Sequence, residues 1–409
     1  ARPLNRVGST VSAKPSPVSA PSPWYALLPL DNRYPALHGL RVLAIFSVIQ
    51  FHVTWIFALE EGIPLDLHFA IGSMTIFFGM DLFFLLSGFL IGSILLHSLK
   101  TSGNLDLRRF YLRRIFRTFP AYWVVLAYLV LVTGMTVTQR ENLPYEILYA
   151  TNFLPLDRGG VIMFWGWSLA LEEQFYLTVP ALFYLLQRMK SERLRFLLLG
   201  LLWLAPLVTR IWKYTHGRPW TDIGLYAALY FRTATRFDAI VAGIVLAFLE
   251  QRYGKQIGQW LQIPRHRTML ALPAAACLWI LLQPDLFGAE YVQWVHVFAW
   301  GTLTSIMYVP ALLLLLHPKT GEDPIQRFLG ARGFHTIATL GYGIYLVHIP
   351  LLYRVCVPLI KALKARGYSM WVGWPLAFVV DVAGSLAIGY VLHILVEKPS
   401  LWLRQKVAG

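Results

Sequence analysis

Arg41 and His52 stand eleven residues apart in an otherwise apolar stretch, HGLRVLAIFSVIQFHVTWIF. From about residue 38 to 57 the stretch is long enough to span a bilayer. Ionisable groups are costly there and by default mark function. Eleven residues at about 100° each make about three turns plus 20°, so both side chains share one helical face, about 16 Å apart along the axis. A histidine base three turns from a cation suits a long ligand with an anionic end. The spacing equally suits two unrelated polar residues, one snorkelling to the interface and one satisfied inside a bundle.

Other apolar segments carry similar costs. FFGMDLFFLLSGFLIGSILL places Asp81 near mid-membrane, with Ser87-Gly88 almost two turns further on. Asp81 suits an ion pair with a neighbouring helix as well as a role in a reaction. Gly88 admits close helix approach and Ser87 can bond across helices, so packing is the first account of both. In RRFYLRRIFRTFPAYW, Arg114 and Arg117 share a face if the segment is helical. Arginine forks suit phosphate oxygens, although positive-inside topology and anionic lipid also explain such runs. Pro120 fits the first turn of the span that follows. FWGWSLALEEQFYLTVPALF repeats Ser168, Glu172 and Tyr176 at four-residue spacing on one face. Two adjacent carboxylates in a span weigh towards function. Asp238 follows Arg236 by two residues, so each needs its own partner. Tyr345 and His348 lie three apart in GYGIYLVHIPLL, where a lone histidine also suits a satisfied bundle position.

These residues require a scaffold of membrane helices. The 409 residues are 57% hydrophobic and 14% charged, with mean hydropathy +0.55, a membrane composition. The formal charge of +15 lies in short loops between apolar runs, which points to topology and lipid contact and away from nucleic acid. Cys277 and Cys356 fall inside apolar runs and suit neither a disulfide framework nor a metal site. No Gly-rich nucleotide loop and no zinc spacing is present.

Ten spans are expected, at about 38–57, 71–96, 120–138, 162–187, 194–212, 225–250, 268–284, 291–316, 334–357 and 371–396. The sixth is the least regular, because Arg232, Arg236 and Asp238 interrupt its first half. The loops on the N-terminal side hold twenty-four Lys and Arg against eight on the other, so both termini are expected to be cytoplasmic. Residues 1–34 are expected to form a disordered Ser/Pro-rich arm, residues 35–400 the membrane domain, and residues 401–409 a short cytoplasmic tail. By depth, Arg41, Arg114 and Arg117 sit near the inner edge, Glu172 near the middle, and His52 and His348 in the outer half.

The ordered segments GLRVLAIFSVIQFH, MDLFFLLSGFLIG, RRIFRTFPAYW, WSLALEEQFYLTVP, RFDAIVAG, LGYGIYLVHIPLL and EKPS resemble the acyltransferase 3 family of integral membrane O-acyltransferases. The resemblance covers about residues 35–400. The family's Arg-x10-His motif falls on Arg41 and His52, its Arg-x-x-Arg motif on Arg114 and Arg117, its Ser-Gly motif on Ser87 and Gly88, and its acidic-aromatic motif on Glu172 and Tyr176. It implies an all-α bundle of ten transmembrane helices in the cell membrane (the inner membrane of a Gram-negative cell). The implied donor is cytoplasmic acyl-CoA, often acetyl-CoA, as co-substrate with no tightly bound cofactor. The implied acceptor is a hydroxyl of a glycan, lipid-linked sugar or secondary metabolite.

On that resemblance, Arg41, Arg114 and Arg117 are expected to bind the donor's phosphates. His52 is expected to act as general base or to take the acyl group covalently, with Glu172 orienting the imidazole. Asp81, Ser87, Tyr176, Asp238 and His348 are expected to contact substrate. The competing class is a transporter or flippase for a lipid or acyl species, which would use the same intramembrane polar residues without chemistry.

Overall fold

A computed structural model describes residues 34–63, 78–154, 160–217, 228–282, 299–318 and 323–408, and every regular element among them is helical. In chain order they are α1 (Ala36–Glu61), α2 (Gly79–Ser102), α3 (Leu107–Thr133), α4 (Val137–Ile147), α5 (Trp167–Arg188), α6 (Glu192–His216) and α7 (Asp238–Trp260). There follow α8 (Pro264–Leu282), α9 (Trp300–Leu316), α10 (Pro324–Leu329), α11 (Arg332–Leu351), α12 (Val357–Ala365), α13 (Met370–Leu392) and α14 (Lys398–Ala408). One π turn, Leu352–Cys356, links α11 to α12, and another, His393–Glu397, links α13 to α14.

By length and composition, six helical runs among the described residues can cross a membrane: α1, α2, α3, α6, Arg332–Ala365 and Met370–Val407. The apolar α9 is shorter. Only 17% of the apolar window of α6 is buried inside the protein, so Leu194, Leu197, Leu201, Leu204 and Trp212 face outwards, as in a helix bathed by lipid, while Leu199 packs inwards. The expected arm, residues 1–34, lies outside the described residues save for Tyr34, as do residues 71–77, 225–227, 283–284 and 291–298 of four expected spans.

Three boundaries differ from expectation for local reasons. Asp106 accepts the N–H of Arg109 and caps α3 fourteen residues before Pro120, so the arginine cluster is helical and Pro120 lies inside the helix. The sixth span begins late. Thr233–Thr235 forms a 3-10 turn and α7 opens at Asp238, because Arg232, Arg236 and Asp238 each turn to a partner that a straight helix would not reach. The last residues continue the helix to Ala408 as α14, which packs on α3 through Ser400 Oγ to Phe116 O, 2.7 Å.

Segments that the charge pattern places on one side meet one another. Gln187 donates to Gly103 O (3.1 Å), Arg252 pairs with Glu192 (3.3 Å), and His317 meets Glu250 (2.8 Å). At the opposite end, Lys361 and Lys364 pair with Glu60 and Glu61 (3.4 and 3.0 Å).

Helices α2 and α7 form the tightest crossing. A Cβ on Gly88 would stand 2.0 Å from Ile240 O, and one on Gly243 would stand 2.1 Å from Leu85 O. Both glycines are therefore required by backbone contact, as expected of Gly88. Around this crossing Leu85, Phe89, Ile240, Ile244 and Phe183 form one buried core, while Ile45, Ile49, Val53, Ile344 and Leu346 belong to a second where α1 meets α11. Gly243→Ala should lower stability by about 1–3 kcal/mol through overpacking, read as a depressed melting temperature in detergent. An unchanged melting temperature would show that this crossing is not the close contact described.

Candidate active site

A cavity of about 500 Å³ opens between α1, α2, α3, α5 and α11. Arg41 of α1, Ser87 of α2, Arg114 and Arg117 of α3, Glu172 and Tyr176 of α5 and Tyr345 of α11 all line it. Seven residues singled out in five separate stretches of sequence thus converge on one space. They converge because α3 is helical through its arginine cluster and α5 presents its four-residue repeat to the same side.

The polar groups are unequally satisfied. Glu172 accepts hydrogen bonds from Ser87 Oγ and from Tyr176 Oη (2.8 Å), and those two hydroxyls lie 3.0 Å apart. The guanidinium of Arg114 lies 5.3 Å from the Tyr176 ring centroid, within cation–π range. Arg41, Arg114 and Arg117 make no ion pair among the described residues. The cavity therefore concentrates three arginines around one carboxylate that already holds two hydroxyl donors. Such a set suits a multiply anionic ligand.

Tyr345 closes the other end. Its hydroxyl donates to Trp165 O (2.7 Å) and lies 2.5 Å from Ser168 Oγ, tying α11 to the start of α5. Its carbonyl faces His348 Nδ1 at 2.7 Å, and His348 Nε2 lies 3.2 Å from His52 Nδ1. His52 Nδ1 also faces Val48 O at 2.9 Å. Neither histidine lines the arginine cavity; both lie behind Tyr345. Phe164 stands edge-on to the His52 ring at 6.3 Å. It lines a second, mostly apolar cavity of about 700 Å³, as do Val347 and Ile349, which flank His348.

Two placements depart from expectation. Glu172 does not reach the imidazole of His52; its bonds go to Ser87 and Tyr176, and the ring's described partners are Val48 O and His348. Asp81 and Asp238 do not line the cavity. Asp81 pairs with Arg236 (2.7 Å) and accepts from Trp300 Nε1 (2.9 Å). The same guanidinium lies 4.2 Å from the Trp300 ring centroid and 4.7 Å from that of Tyr230. Asp238 pairs with Arg210 (2.9 Å), which also donates to Thr235 O (2.6 Å) and Thr302 Oγ1 (3.3 Å). These buried pairs fasten α2, α6, α7 and α9 together.

Tyr342 and His38, unremarkable in the sequence, also line the cavity. Their signal was positional: each sits three residues before a residue already singled out, Tyr345 and Arg41, and so on the same helical face. Among the described residues no group of three or more His, Cys, Asp or Glu is placed to hold a metal.

The chain belongs to the acyltransferase 3 family, whose acyltransferase domain model matches residues 34–393. It is 28% identical over 387 residues to the peptidoglycan O-acetyltransferase OatA of Listeria monocytogenes, covering 89% of this chain and 55% of that protein. It is 29% identical over 342 residues to the Bacillus subtilis protein YrhL, provisionally named a peptidoglycan O-acetyltransferase, covering 78% of this chain and 49% of that protein. The chain thus spans about half the length of the curated relatives it matches. No solved structure matches it.

Paired and unpaired arginines should respond oppositely to substitution. Asp81→Asn leaves Arg236 buried without its counter-charge and should cost about 3–5 kcal/mol. Arg41→Met removes a cation that has no anionic partner and should leave stability unchanged or raised. Melting curves of the two variants in detergent test this. Equal destabilisation by both would show that Arg41 is held by a pair of its own.

Proposed function

We propose that this chain is a membrane O-acyltransferase that moves an acyl group, acetyl in the first instance, from acyl-CoA to a hydroxyl. The observation that carries this reading is the convergence of Arg41, Arg114 and Arg117, without anionic partners among the described residues, on a cavity that Tyr345 closes, with a histidine pair behind Tyr345. Membership of the acyltransferase 3 family supports it. The names of OatA and YrhL favour a glycan hydroxyl, as in peptidoglycan, over a lipid or small metabolite.

In this reading the chain crosses the cell membrane ten times with both termini cytoplasmic, and the arginines face the cytoplasm. They take the phosphates of the CoA. Glu172 holds Ser87 and Tyr176 in place and offsets part of the positive charge. The thioester end passes the Ser87–Glu172–Tyr176 cluster and reaches Tyr345. The acceptor hydroxyl comes from the side of the second cavity. His52 takes the proton from that hydroxyl as its oxygen attacks the thioester carbonyl carbon. The C–O bond forms, the C–S bond breaks, and the leaving thiolate recovers the proton from the imidazolium. No resident cofactor or metal takes part in these steps.

His52→Ala should abolish acyl transfer while the protein remains folded, read by mass spectrometry of cell-envelope glycans and excreted metabolites and by release of free CoA thiol from the purified enzyme. Arg41→Ala and Arg114→Ala should raise the donor KM by on the order of 10-fold or more, since one charge-assisted contact is worth about 1.5–3 kcal/mol. Near-normal transfer by His52→Ala would sink the mechanism. An unchanged donor KM in both arginine variants would remove them as phosphate ligands. Movement of an unmodified substrate, with no dependence on acyl-CoA, would identify a transporter instead.

A further inference from the structure

The two histidines carry information about protons that their spacing alone does not. A backbone carbonyl can only accept, so a ring nitrogen that faces one within bonding distance must carry hydrogen. His348 Nδ1 faces Tyr345 O at 2.7 Å. His52 Nδ1 faces Val48 O at 2.9 Å. Both neutral rings are therefore protonated at Nδ1, which leaves a lone pair on each Nε2. The lone pair of His348 Nε2 points at His52 Nδ1, 3.2 Å away. The chain of donors is then consistent throughout. His52 shares its Nδ1 hydrogen between Val48 O and His348 Nε2, and His348 gives its own to Tyr345 O.

His52 Nε2 has no partner among the described residues. The His52 residue is only partly buried. His348, by contrast, is completely buried. The unpartnered nitrogen belongs to the ring that reacts and the sealed ring stands behind it.

Resting on the reading of His52 as the base, we propose that His348 is a positioning residue that fixes His52 in the Nδ1-protonated tautomer, with Nε2 as the atom that takes the acceptor's proton. As that proton arrives, positive charge develops on the His52 ring. The shared Nδ1–H then strengthens its bonds to Val48 O and to His348 Nε2, as hydrogen bonds to charged donors do. His348 touches neither donor nor acceptor. Its contribution is the tautomer, the ring orientation and the stabilised imidazolium, the part that the third member plays in a nucleophile–base–orienter arrangement. Tyr345 links this to the donor cavity, because one residue lines the cavity with its side chain and anchors His348 with its carbonyl.

Two amide substitutions separate the functions of the His348 nitrogens. In His348→Asn the amide N–H stands near the former Nδ1 and keeps a donor for Tyr345 O, but nothing accepts from His52. In His348→Gln the side-chain carbonyl stands near the former Nε2 and keeps that acceptor. With the purified full chain, acetyl-CoA and a glycan acceptor, kcat should fall by on the order of 100-fold in His348→Asn, with donor KM within about twofold of the parent. His348→Gln should recover on the order of 10-fold of that loss. Parental kcat in His348→Asn, or equal kcat in the two variants, overturns the proposal. Replacement of His52 by Nε2-methylhistidine gives a second measure that leaves the buried ring intact. It should abolish transfer, and retained transfer would assign the proton to Nδ1 and overturn the proposal. If His52→Ala itself keeps its activity, the reading of His52 as the base fails first, and that failure is visible before the His348 variants are compared.

Discussion

A charge inside an apolar bundle needs a counter-charge, an aromatic face or water, and the placement of the other side chains follows from how each arginine meets that need. Arg210 and Arg236 meet it with protein groups: Asp238, and Asp81 inside a ring of aromatics. Arg41, Arg114 and Arg117 meet it by lining an open cavity. The first set closes helices on one another and can do so only in one register, because each fork reaches its partner from a single turn. The second set keeps a space open, because three like charges without carboxylate partners favour the solvent or ligand that separates them.

Helix α2 connects the two sets. Asp81 near its start binds Arg236, Gly88 two turns on meets the backbone of α7, and Ser87 beside it reaches Glu172 of α5. An ion pair and a backbone contact fix the helix to α7 from one side, and on the other it presents a hydroxyl to the cavity. The Ser-Gly pair therefore joins packing to chemistry: the glycine sets the depth at which the serine stands. A Cβ at position 88 would push α2 off α7 and withdraw Ser87 from Glu172 together.

Most of the cavity was legible in the sequence, because ionisable residues are rare in apolar runs and each one there asks for an explanation. Arg41, Ser87, Arg114, Arg117, Glu172 and Tyr176 were readable for that reason, and helical spacing placed several on common faces. The histidine pair was half legible. Depth put His52 and His348 in the outer half of their spans, but only the packing of α1 against α11 makes them neighbours. What periodicity could not show is choice of partner. Glu172 had two plausible destinations, an imidazole one helix away or the hydroxyls beside it, and the hydroxyls win because Tyr176 lies one turn along the same helix. Asp81 and Asp238 could not be told from site residues, since a buried carboxylate reads alike whether its cation belongs to the protein or to a ligand. The late start of α7 has the same origin: the side chains of Arg236 and Asp238 must leave the helix in different directions, and the backbone yields before the ion pairs do.

The unpaired arginines also bear on why the cavity does not collapse. Pairing each with a carboxylate would stabilise the bundle in the absence of ligand, yet it would oblige an incoming anion to break a buried pair, a step that costs several kcal/mol. Leaving them without partners transfers that cost to the unliganded state, where water in an open cavity offsets part of it. Glu172 is the intermediate case. Its charge lowers the net excess, and Ser87 and Tyr176 both donate to its Oε1, which holds the carboxylate beside α2 and away from an ion pair with a guanidinium. A site built this way binds its anion without first dismantling itself, and its preorganisation resides in two hydroxyl hydrogen bonds in place of a salt bridge.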